Sequence, residues 1–301
     1  MMAAARTFIR AAEYWVPSSD GSLLEFGGGI FGGASRLAAT TPQLCFGRGE
    51  GLPGQAWENG YPVVLPQLDH SNFRRADAAR AAGITCGVAI PLWQGPQLRA
   101  VVVLFCGDDE QHAGAIELWR NVPEVSPDMG LVDGYYGTTG DTFEFIARST
   151  QFRRGTGLPG LTWERQAPVF LDNLGKGSGF LRADSAVRVG INRAYAFPCS
   201  TSDGSVCVMA FLSALATPIA RRLETWQPTS VDGAAVLVSG FCESSGTLGP
   251  AQAATSPLAA PADQALLAQV MTDGAPAITG SVLLLPITPA GQTTAVVALQ
   301  L

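Results

Sequence analysis

Phe46-Gly47-Arg48-Gly49-Glu50-Gly51-Leu52-Pro53-Gly54-Gln55-Ala56-Trp57-Glu58-Asn59-Gly60-Tyr61-Pro62-Val63 occurs twice in this chain. It returns without a gap, 106 residues later, as Phe152-Arg153-Arg154-Gly155-Thr156-Gly157-Leu158-Pro159-Gly160-Leu161-Thr162-Trp163-Glu164-Arg165-Gln166-Ala167-Pro168-Val169. A fainter third echo, Gln269-Val270-Met271-Thr272-Asp273-Gly274-Ala275-Pro276-Ala277, stands 214 residues beyond Gln55. A period of this length is domain-sized, too long for a solenoid repeat. The chain of 301 residues has room for two or three such units. The reading divides it at 1–110, 111–226 and 227–301, with the last unit truncated and degenerate.

Within the first copy, Ala12–Val16 has the aromatic and β-branched content of a strand. Ser18-Ser19-Asp20-Gly21 turns the chain back along Leu23–Phe26. Gly49-x-Gly51-Leu52-Pro53-Gly54 opens a short helix carrying Trp57, with Pro53 at the first helical position and Gly60 as a left-handed stop. Val63–Leu65 is a brief strand, Asn72–Ala82 a second helix, and Thr85–Ile90 with Ala100–Phe105 a final hairpin. The second copy matches, with Phe180 for Phe73 and Gly190 for Gly83. Sequential hairpins with interposed short helices predict an α+β plan, an antiparallel sheet covered by helices. In the third copy, Ala234–Gly240 reads as the first strand and Ser244–Ala262 as loop, with no counterpart of the Asn72–Ala82 helix.

Composition narrows the function. Charged residues are 15% of the chain, below the roughly 25% of a typical soluble protein. The net charge of -6 leaves no broad cationic surface for nucleic acid. No apolar run approaches membrane-spanning length. Six cysteines without a C-x-x-C pair (45, 86, 106, 199, 207 and 242) read as reduced, mostly buried thiols of a cytoplasmic protein. Two histidines and scattered thiols do not make a zinc set. Asp69, His70 and Cys86 could form a base–thiol arrangement, but the second copy has neither thiol nor imidazole there, so no catalytic residue is expected.

The order of signals, the glycine turn with its Trp-Glu helix, then Phe-x-Arg-Ala-Asp and a strand ending in Pro, resembles the GAF domain over about 12–107 and 115–213 and weakly over 230–301. That resemblance implies a six-stranded antiparallel sheet with a small-molecule pocket between sheet and covering helices. The signatures of its cyclic-nucleotide, bilin and methionine-sulfoxide-reducing members are missing, so no cofactor is implied. About ten residues separate Phe105-Cys106-Gly107 from Ile116, too few for the long helices through which such domains often dimerise. A compact, abutting array is expected.

Ligand residues are sought where the copies differ. On the strand after the covering helix, alternation sets Cys86, Val88 and Ile90 on one face. Arg193, Tyr195 and Phe197 take that face in the second copy. A guanidinium there needs a partner. Asp184 could supply it structurally, or Arg193 could bind a carboxylate or phosphate with Tyr195 beside it. Phe73, Phe180 and Asp172 complete the candidate set. The expectation is a non-enzymatic sensor acting through a protein partner or self-association. The rival reading is an assembly protein that keeps the fold without sensing.

Overall fold

The computed structural model describes residues 6–68, 73–175, 177–229 and 234–301. Strands β1 (Ile9–Pro17), β2 (Leu23–Ile30), β3 (Cys45–Gly47), β4 (Val63–Leu65), β5 (Cys86–Gln94) and β6 (Gln97–Cys106) form one antiparallel sheet in the order 3-2-1-6-5-4. Strands β7 (Gly114–Asn121), β8 (Met129–Tyr135), β9 (Gln151–Phe152), β10 (Val169–Leu171), β11 (Arg193–Cys199) and β12 (Val206–Ser213) repeat that order as 9-8-7-12-11-10. The third sheet, β13 (Arg222–Pro228), β14 (Ala235–Cys242), β15 (Gly246–Leu248), β16 (Ala277–Thr279), β17 (Val282–Ile287) and β18 (Ala295–Gln300), runs 15-14-13-18-17-16.

The third unit is therefore complete in strands, and two expectations change. Its first strand is β13, so an edge at 226/227 would cut through a central strand. Its middle is also more ordered than the Gly, Ala, Ser and Pro content suggested. Ser244–Ala262 holds β15, a 3-10 helix at Pro250–Thr255 and the start of a helix over Pro261–Asp273. Pro261 occupies the first turn of that helix, where its missing N–H is harmless. The expected loss of a covering helix is met, since β16 turns directly into β17.

Helices α1 (Ser35–Thr40), α2 (Gly51–Asn59) and α3 (Ala76–Ala81) belong to the first repeat; α4 (Asp141–Ser149), α5 (Gly157–Arg165) and α6 (Ala183–Arg188) belong to the second; Pro261–Asp273 is α7. The quoted motif makes α2 and α5. Gly49 and Gly51 have φ of 79° and 58°, and Gly155 and Gly157 have 81° and 63°, a region other residues rarely adopt. Gly54 is required for a different reason. A Cβ there would stand 2.1 Å from the Gly47 carbonyl oxygen, and one on Gly160 equally close to that of Arg153. The loop closes on itself, with the Gly49 and Gly155 N–H groups donating to the Gly54 and Gly160 carbonyls at 2.8 Å. Pro53 sits third in α2, still within the first turn, and Gly60 ends that helix at φ 74°.

In each sheet the hairpin β5–β6, β11–β12 or β17–β18 is buried on both faces over most of its length. One face packs under its own helices, as with Trp15, Leu52, Ala89 and Phe105 in the first repeat. The opposite faces meet one another in a single core that joins Val88 and Val102, Phe197 and Phe211, and Leu285 and Val297. All three repeat seams are bonded. Ser202 N–H donates to the Gly60 carbonyl at 2.8 Å, Arg193 pairs with Glu243 at 3.0 Å, and Gly95 N–H donates to the Gly291 carbonyl at 3.2 Å. Arg99 adds a 2.8 Å bond to the Asp273 carbonyl. The head-to-tail contact between repeats thus closes into a ring of three within one chain.

Candidate functional site

A buried carboxylate stands at the same place in every sheet. Glu13, Glu117 and Glu224 each precede a tryptophan by two residues on the central strands β1, β7 and β13. Each accepts a bond from that indole N–H, at 3.0, 3.0 and 2.9 Å. In all three repeats the register to the neighbouring strand shifts just before the tryptophan, a β-bulge in the same position. Arg75 and Arg182, from the Phe-x-Arg-Ala-Asp segments, grip Glu13 and Glu117 with two nitrogens each at 2.6–2.8 Å. The third repeat has no such segment and improvises. Arg222, two residues back on the same strand, and Ser256 bond Glu224 at 2.6 and 2.8 Å.

These charges are almost fully buried, Arg182 and Glu117 with side chains 3% and 1% exposed. Burial opposes the Arg182 charge, and Glu117 outweighs it, so its pKa lies above the ordinary value. Burial first, and Glu117 second, push the neighbouring Tyr136 hydroxyl up. The arrangement is a structural clamp, since every Glu oxygen faces a protein donor. The recurrence of Glu-x-Trp at 13, 117 and 224 was readable in the sequence and would have set the start of the third repeat correctly.

Above the first clamp lies a cavity of about 330 Å³ on the helix side of the sheet. Leu44, Phe46, Leu52, Leu65 and Phe73 wall it. Glu50 and Arg74, paired at 3.0 Å and both exposed, stand at its rim. Arg75 reaches it too, but its charge is committed to Glu13. Of the predicted site residues, Phe73 is the one here, its ring 5.7 Å from that of Phe105. Phe180, its counterpart, is buried in the helix-side core of the second repeat beneath Arg182.

The structure places the other predicted residues elsewhere. Cys86, Val88 and Ile90 are at most 1% exposed and lie in the central shared core, on the face away from α2 and α3. Burial pushes the Cys86 thiol well up. The helix-facing positions of that strand are Gly87, against Leu52 and Phe105, and Ala89. Tyr195 and Phe197 are in the same central core. Arg193 does not pair with Asp184, which is exposed in the first turn of α6. It spans to the third repeat instead. It bonds Glu243 and the Asp172 carbonyl and lies over the Phe241 ring at 4.8 Å. Asp69 and His70 fall outside the described residues, and the expected partner thiol, Cys86, faces the central core. All six cysteines are free, with Cys45 exposed and the rest buried. Among the described residues no three His, Cys, Asp or Glu converge as a metal set, and no helix is long and apolar enough to cross a membrane.

Three sheets of one strand order, each with its first strand at the centre and short helices over one face, decide the fold. The three units share a GAF-like α+β fold. No protein-family model and no curated protein matches the chain. Among solved structures, it is similar to the nlh2 GAF domain of A. aeolicus in an inactive state, at 19% identity and a TM-score of 0.27. That match covers 34% of this chain and spans 61% of the A. aeolicus domain. A Staphylococcus aureus NreA protein mutated in its nitrate binding site matches at 20% identity, over 33% of this chain and 72% of its own, with a TM-score of 0.26. The GAF domain of a Bacillus halodurans two-component sensor histidine kinase matches at 12%, over 33% and 63%, with a TM-score of 0.24. Each match covers about a third of this chain. The assignment of three units rests on the strand order of this chain.

Proposed function

We propose that the chain is a non-enzymatic regulatory protein that takes a small molecule into the helix-side cavity of its first GAF-like unit. The observation that supports this is the cavity of about 330 Å³ itself, near the lower end of the size range of ligand pockets. Its wall is aliphatic and aromatic, and its rim offers one carboxylate and one guanidinium already joined to each other. The ligand class that fits is apolar or aromatic with a small polar end. Binding beneath the Phe73–Arg75 segment would bear on Arg75 and so on the clamp at Glu13. A ligand shifts an equilibrium only by binding one arrangement more tightly, and the segment over the clamp is the element to be shifted. The message then passes to a protein partner or a second copy. Phe145, Leu181 and Val187, exposed on the second unit, are apolar side chains of the kind such contacts use.

Thermal-shift screening of aromatic and apolar metabolites tests the proposal. At least one compound should stabilise the wild type, and Leu44→Trp, which places an indole at the cavity wall, should abolish that shift without lowering the apo midpoint by more than a few degrees. The reading is overturned if every stabilising compound acts equally on Leu44→Trp, or if none stabilises the wild type.

A further inference from the structure

A second cavity, of about 280 Å³, lies at the seam between the second and third units. Its floor is formed by buried side chains, among them Tyr195, Thr225 and Phe241. Its mouth carries exposed Arg165 from the end of α5 and Asp172 from the loop after β10.

Three features point to an occupant. The Tyr195 hydroxyl is buried, the residue being 2% exposed, and has no hydrogen-bond partner among the described residues. Native interiors rarely leave such a group unmet, and burial pushes its pKa up, so it is a neutral donor. Phe170 and Phe241, one from each unit, meet at 4.9 Å between ring centroids, with Tyr195 6.3 Å from Phe170. They present an aromatic wall across the seam. Arg165 and Asp172 carry opposite charges on one rim, and neither makes an ion pair among the described residues. A simple anion would suit Arg165 and be repelled by Asp172. A molecule bearing both charges suits both.

We propose that this seam binds a free aromatic α-amino acid with a polar ring substituent. Its carboxylate is held by Arg165 as a charge-assisted pair, its ammonium by Asp172, and its ring lies against Phe170 and Phe241. The ring substituent accepts a hydrogen bond from Tyr195. Arg193 braces the same walls through Glu243, the Asp172 carbonyl and the Phe241 ring. Occupancy therefore reads on the contact between two units, independently of the first unit's pocket.

Isothermal titration of the full chain with L-tyrosine tests this, with tyramine, which lacks the carboxylate, and L-phenylalanine, which lacks the hydroxyl, as comparators. The wild type should bind L-tyrosine more tightly than either. Arg165→Gln should weaken L-tyrosine by about tenfold or more, the loss of one charge-assisted contact, and leave tyramine unchanged. Asp172→Asn should weaken both. Tyr195→Phe should remove the preference for L-tyrosine over L-phenylalanine. Leu44→Trp should leave L-tyrosine affinity unaltered, which separates this site from the first unit's pocket. Absence of L-tyrosine binding overturns the proposal, as does binding that survives Arg165→Gln and Asp172→Asn or that Leu44→Trp abolishes.

Discussion

Glu117→Ala should lower the unfolding free energy by about 3–5 kcal/mol, the loss typical when one partner of a buried ion pair is removed. Four bonds go with the carboxylate: two from Arg182, one from Trp119 and one from Tyr136. What remains is an unpaired guanidinium enclosed by the rings of Trp119, Phe143 and Phe180. Those π faces attract the cation, yet cannot accept hydrogen bonds as an oxygen does. Chemical denaturation measures the loss. The double variant Glu117→Leu/Arg182→Met should recover most of it, because it leaves no orphaned charge. If Glu117→Ala costs under about 1 kcal/mol, the clamp is not a stabilising unit and water reaches Arg182 freely.

Phe197→Ala should be comparably severe, about 3–5 kcal/mol by the usual cost of truncating a buried Phe. A residue lining an open pocket would cost far less, so this substitution separates the two roles that can be given to Phe197. The ring is 1% exposed, 6.0 Å from Phe211 and 5.7 Å from Tyr195. It packs in the core shared by all three sheets. The lost stability should appear as one unfolding transition moved to lower temperature. A second transition, with part of the protein melting where the wild type does, would show that the units unfold separately.

The turn and helix grammar was legible because it is local. Gly49, Gly51 and Gly54 answer to backbone constraints within a few residues, and the strand order follows from hairpins that the turns announce. The site was misread because alternation on β5 and β11 shows which residues share a face, and leaves open which face meets the helices. A sheet with one wet face would settle that by polarity. Here both faces are apolar, and β5 is buried at every position except its last. The continuous apolar runs Ala100–Cys106 and Cys207–Leu212 carried the hint, since a strand buried on both sides loses its alternation. Arg193 looked like a ligand residue because its partner, Glu243, lies 50 residues away in another unit. The third unit was misplaced because its echo of the glycine turn is faint, whereas its Glu224-x-Trp226 pair is intact.

The ring closed on a common core is the claim on which the reading of both cavities depends, because it turns one face of every sheet inward and leaves the helix side and the seams for ligands. Native-state hydrogen exchange across a denaturant series measures it directly. The amides of β5 and β6, β11 and β12, and β17 and β18 should exchange with one shared opening free energy and one denaturant dependence. Three separate values, one for each unit, would contradict it.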